Sequence, residues 1–168
     1  MPIDKEEKFV SKLKYAGIFN FSDFYNFCYK WLTEEFGLDI GEDKYAEKIV
    51  GDAKEVEIEW TCEKKLNDYF KYIVKIKFRI LGLTKVEIMQ DNKKVKTNSG
   101  NVEIKVKGIF QKDYEGKFDT SVTKQFLRGI YEKWVIKSNI KALEDKLIEE
   151  CDEFLTQAKA FLDLEGRK

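Results

Sequence analysis

The chain has 168 residues, 43% hydrophobic and 37% charged, a balance that points to one folded, soluble domain with a real core and excludes a disordered chain. Its 31 basic and 31 acidic residues cancel, which removes any global argument for a nucleic-acid or membrane partner. The charge is unevenly spread: residues 1–68 hold 10 bases and 16 acids, residues 69–118 hold 12 and 5, and residues 119–168 hold 9 and 10.

The opening "MPIDKEEKFV" has acids where a secretion signal needs cations and an apolar run, and no stretch approaches the roughly 20 apolar residues of a membrane span. A cytoplasmic protein is expected. Residues 6–15 carry a weak pattern that fits a short helical turn. A first helix is signalled at "SDFYNFCYKWLTEEFG", with Ser22 as N-cap and Gly37 as stop. Phe24, Phe27, Cys28, Trp31 and Leu32 repeat there at three- and four-residue steps. Residues 38–53 read as a connection with one helical turn around Tyr45.

The period then switches from 3.6 to 2. "EVEIEWTCE" places Val56, Ile58, Trp60 and Cys62 on one face and Glu55, Glu57, Glu59 and Glu63 on the other. "FKYIVKIKFRI" alternates in the same way, with Lys75, Lys77 and Arg79 on its polar side. A break at Gly82 leads to "KVEIMQ"; "DN" and "NSGN" look like turns around a short "KKVKT", and "NVEIKVKGIF" is a further strand. The gaps are too short for crossover helices, so the sheet is an antiparallel meander. A hairpin register setting Glu59 opposite Lys75, Glu57 opposite Lys77 and Glu55 opposite Arg79 explains the charged rows as matched pairs on a wet face. A shift of two residues still matches most of them.

After "YEGKFDT" the helical period returns. Val122, Phe126, Ile130 and Trp134 mark one stripe, thickened by Leu127 and Tyr131. From Ile136 the pattern runs Ile140, Leu143, Leu147, Cys151, Phe154, Ala158 and Phe161, as one long helix or as two broken at Ser138–Asn139. The expected fold is α+β in a single domain. Residues 1–53 form an N-terminal helical region and residues 54–118 a meander of four to five strands. Residues 119–168 form a long C-terminal helix or helix pair packed on one sheet face.

Little chemistry is encoded. With no histidine, histidine triads and histidine metal sites are excluded, and no phosphate-loop, dinucleotide or nucleophile-elbow motif occurs. Cys28, Cys62 and Cys151 stand far apart on apolar faces, which reads as buried structural thiols and not as disulfides or a zinc site. The run "EDKLIEECDEF" has helical apolar spacing, so its acids belong to a helix surface and no metal or cofactor is expected. A non-catalytic protein is the expectation, with two-carboxylate hydrolysis the one enzyme class that the plentiful Asp and Glu leave open.

Three binding readings follow. The first is a protein-interaction or assembly module, in which Ile148, Leu155 and Leu162 flank the C-terminal stripe and meet a protein partner or a second copy. The second is a structured-RNA or DNA backbone binder using Lys93, Lys94, Lys96, Lys105 and Lys107, with little base readout because the strand aromatics point to the apolar side. The third is a binder of a small hydrophobic ligand, held in a cavity between the aromatic-rich helix and the sheet.

Overall fold

A computed structural model describes residues 4–115, 122–130 and 137–167. Five strands, β1 (Asp4–Phe19), β2 (Asp39–Val50), β3 (Ala53–Lys65), β4 (Phe70–Gln90) and β5 (Lys93–Lys112), form one antiparallel sheet in the order β1-β5-β4-β3-β2. Helix α1 (Phe21–Lys30) extends through a π-helical turn over Trp31–Glu35. Helices α2 (Val122–Ile130) and α3 (Lys137–Gly166) follow the last strand. The α+β class and the antiparallel sheet agree with the sequence reading, but the N-terminal region opens with a strand.

Two strands replace segments read otherwise. Residues 6–15 belong to β1, whose polar-apolar alternation is blurred by a bulge between Glu7 and Phe9. Residues 39–50 form the edge strand β2, in which almost every side chain is exposed, so no buried face imprints a period on its sequence. Two expected breaks disappear. Gly82, at φ +64°, is a bulge inside a continuous β4, and the "NSGN" stretch lies within β5. Gly100 crosses the bulge so closely that a Cβ there would stand 3.2 Å from the Leu81 carbonyl oxygen. The "DN" turn is as expected: Asp91 and Asn92, both at positive φ, join Gln90 to Lys93 in the two-residue form that matches strand twist.

α1 begins two residues earlier than Ser22 implied. Asn20 is the N-cap, its Oδ1 accepting from the Asp23 N–H at 2.9 Å, and Gly37 at φ +78° ends the helical stretch. α3 starts at Lys137, before the expected break at Ser138–Asn139. The expectations for Tyr131, Trp134 and Ile136 concern positions outside the described residues.

The core lies between one sheet face and helices α1 and α3. Trp60 packs on Phe78 with ring centroids 4.9 Å apart and on Tyr25 at 5.3 Å, while Phe161 of α3 stacks on Phe27 at 4.8 Å. Val56, Ile58, Trp60, Val74, Ile76 and Phe78 are all buried, as their alternation requires. This ring-on-ring packing accounts for the aromatic residues of α1 and the sheet as core. The three cysteines are free and buried.

The cationic open face as candidate functional site

The other sheet face carries the polar side chains of β1, β3, β4 and β5. The alternation of period 2 sends Lys75, Lys77, Arg79, Glu103, Lys105 and Lys107 to this side, away from the helices. The actual register of β3 on β4 is shifted by two residues from the expected one. Glu59 faces Lys77, Glu57 faces Arg79, and Lys75 is left opposite Thr61. Acids and bases still match along most of the hairpin, but the end of the row does not.

Across β5 the pairing changes sign. Lys75 lies opposite Lys107 and Lys77 opposite Lys105, while β1 adds Lys12 on the far side of Lys105. Two adjacent rows result: Val10, Lys107, Lys75 and Thr61, then Lys12, Lys105, Lys77 and Glu59. Carboxylates border this cluster. Lys107 pairs with Glu7 at 3.1 Å, Lys12 with Glu103 at 3.2 Å and Lys77 with Glu59 at a looser 3.6 Å. Among the described residues neither Lys75 nor Lys105 forms an ion pair. Like charges directly opposite one another destabilise a sheet, so three lysine–lysine juxtapositions in one patch oppose folding.

The electrostatics around the patch fit this picture. The Lys12 ammonium, hydrogen-bonded to Glu103, holds that carboxyl below its usual range, and Lys44 does the same for Glu57. These acids stay ionised and committed to their partners near neutral pH. The Thr61 hydroxyl donates to the Asp43 carboxylate at the β2 edge. A groove of about 320 Å³ runs between Thr61, Glu59 and the lysines at 75, 77, 105 and 107. A second groove of about 410 Å³ adjoins it on the same face, along Lys14, Arg79, Asn101 and Glu103.

The five lysines proposed from sequence are not brought together. Lys93, Lys94 and Lys96 sit at the far end of the β4–β5 hairpin. At 3.3 Å per residue, Lys96 lies about 30 Å along the strand from Lys105. Lys94 and Lys96 also have the opposite parity, which directs them to the other side of the ribbon. Lys105 and Lys107 instead join Lys12, Lys75 and Lys77, which the sequence reading had either assigned to charge pairs or placed in a helical turn. Their alternation was visible, but finding the cluster needed the β1 strand and the β4–β5 register.

The three apolar residues proposed for assembly are also separated in role. Leu162 is fully buried, Leu155 is 8% exposed, and only Ile148, at 36%, faces outward. The reason is β1: α3 packs over this unforeseen strand, which adds to the sheet surface that covers the helix. The exposed apolar stripe lies instead on α2, at Val122, Phe126, Leu127 and Ile130.

Among the described residues no group of three or more Cys, Asp or Glu side chains is arranged to hold a metal ion, and no helix is long and apolar enough to cross a membrane. The chain matches no protein-family model, no curated protein and no solved structure.

Proposed function

We propose that this protein is a non-catalytic binding module whose open sheet face takes a polyanionic partner. One observation carries the reading: Lys12, Lys75, Lys77, Lys105 and Lys107 are gathered on adjacent strands with too few carboxylates to neutralise them. Folding alone does not favour such a patch, whereas an anion laid across it turns mutual repulsion into attraction. The neutral total charge is no obstacle, because the screening length of about 8 Å at physiological salt makes local charge decisive. Retention on immobilised heparin tests the reading. The protein is expected to elute at moderate salt, and the Lys75→Glu/Lys105→Glu variant well before it. Identical elution of the two would refute it.

A second reading, an assembly module working through the C-terminal region, is favoured by the exposed apolar stripe of α2, with Val122 83% and Phe126 67% exposed. A second copy meeting stripe to stripe would show as a concentration-dependent dimer in sedimentation, abolished by Phe126→Lys. A monomer at high concentration would exclude it.

A further inference from the structure

We infer that the polyanion received by the open face is double-stranded DNA, held by its phosphates and without regard to base sequence. The inference rests on the polyanion reading above and adds the partner. Strands spaced about 4.8 Å apart and side chains repeating every two residues, about 7 Å, place the lysine Cβ positions over a patch roughly 10 Å by 7 Å. Duplex DNA carries one charge per roughly 1.7 Å of axis with both strands counted, about six over the longer side of the patch, and the five lysines neutralise at most about four of them.

The composition of the two rows separates DNA from other anions. A protein partner needs apolar anchors at the centre of its interface, where lysine is depleted. These rows hold one apolar side chain, Val10, and it stands at the β1 edge. A single strand needs aromatic rings on which to stack bases, and the rows contain none. Duplex RNA is told from DNA by its A-form shape and by contacts to its 2′-hydroxyls across a wide, shallow minor groove. The one hydroxyl in these rows, that of Thr61, has its proton already given to a hydrogen bond with Asp43.

Base readout is equally unprovided for. Bidentate recognition of adenine uses asparagine or glutamine and that of guanine arginine or lysine; the two rows hold no side-chain amide, and the nearest arginine, Arg79, lies between Glu57 and Glu103. Lysines spread over a flat sheet face, which enters neither groove, meet phosphates as point charges, and such contacts carry no sequence information. The bordering Glu7, Glu59 and Glu103 repel phosphates that stray from the lysine rows, which limits the number of contacts.

Fluorescence anisotropy with a labelled duplex DNA of about 20 bp tests the assignment, with duplex RNA, single-stranded DNA and polyglutamate as parallel probes. Four neutralised phosphates give a slope of log affinity against log salt of about −3 to −4, or roughly a 100-fold loss between 50 and 200 mM. Scrambling the duplex sequence should change affinity less than about threefold. Lys75→Glu/Lys105→Glu should abolish binding, and Lys75→Gln/Lys105→Gln should weaken it and flatten the slope, with both variants showing native circular dichroism. Equal or tighter binding of duplex RNA, single strand or polyglutamate would overturn the assignment to DNA while leaving the polyanion reading standing. Loss of heparin retention as a distinguishing property of the wild type would remove both.

Discussion

Lys105 on β5 faces Lys77 on β4 and Lys12 on β1, so both of its cross-strand neighbours on the open face carry its own charge. Lys105→Glu converts two repulsive pairs into attractive ones. With each pair worth about 0.2–1 kcal/mol, the melting temperature should rise by roughly 1–8 °C in a protein of this size. Differential scanning calorimetry at low salt checks this, and the gain should shrink as salt is added. A drop in melting temperature would mean that Lys105 has a stabilising partner in solution. A variant that is more stable yet binds less is the signature of a residue kept for binding.

Trp60 is 1% exposed, its indole Nε1–H donating to Glu42 Oε2 at 2.9 Å. Trp60→Ala should cost about 3–5 kcal/mol, the range for emptying a large aromatic site. Trp60→Phe keeps most of the packing and loses the hydrogen bond, so its cost should be about 1–2 kcal/mol. Guanidinium denaturation followed by circular dichroism measures both. Nearly equal costs would show that the site collapses around the smaller side chain.

A methyl group added at Gly108 would lie 3.0 Å from Cys151 Sγ and 3.3 Å from Phe9 Cβ. Gly108→Ala is therefore expected to destabilise by about 1–3 kcal/mol through overpacking between β5, β1 and α3. Cys151→Ala removes the sulfur that stands in the way, so the two changes together should cost less than their sum. A double-mutant cycle reads this coupling directly; strict additivity would mean that Phe9 and not Cys151 bears the strain.

Burial pushes the Cys62 and Cys151 thiols up to about 12 and the Cys28 thiol well above its ordinary value, and it lifts the Tyr72 phenol to about 12. In the unfolded chain these thiols titrate near 8.5 and the phenol near 10. Between those values and about 12 the unfolded chain has released protons that the folded chain still holds, so stability falls as pH rises. The contribution is complete below pH about 8.5. The urea midpoint should be flat from about pH 6 to 8 and fall steadily above about pH 9. A midpoint unchanged through pH 11 would show that these groups are hydrated in the native state.

Strands β3 and β4 were legible because each buries one face, and burial writes a period of two into residues such as Val56, Ile58 and Trp60 or Val74, Ile76 and Phe78. β2 was not legible for the converse reason: Glu42 to Val50 are all exposed, and a strand held by backbone pairing and polar side-chain contacts leaves no apolar period in its sequence. Gly82 and Gly100 read as turn signals because the same freedom of backbone serves a turn and a bulge. The candidate site shared this fate. Lys105 and Lys107 were visible as surplus charge, but their neighbours Lys12 and Lys75 became part of the site only through the long-range pairing of β1 and a two-residue difference in register.

The pairing of β1 with β5 has a consequence for how the chain is made. β2 to β5 can zip together as successive hairpins, each joining neighbours in sequence. β1 cannot: Phe19 must wait for Asn98, and Asp4 for Lys112. At synthesis rates of about 5–20 residues per second, this strand spends roughly 5–20 s outside the ribosome without its mate. Its cations at Lys5, Lys8, Lys12 and Lys14, spaced through an otherwise sticky ribbon, keep that waiting segment from pairing with the nascent chains beside it.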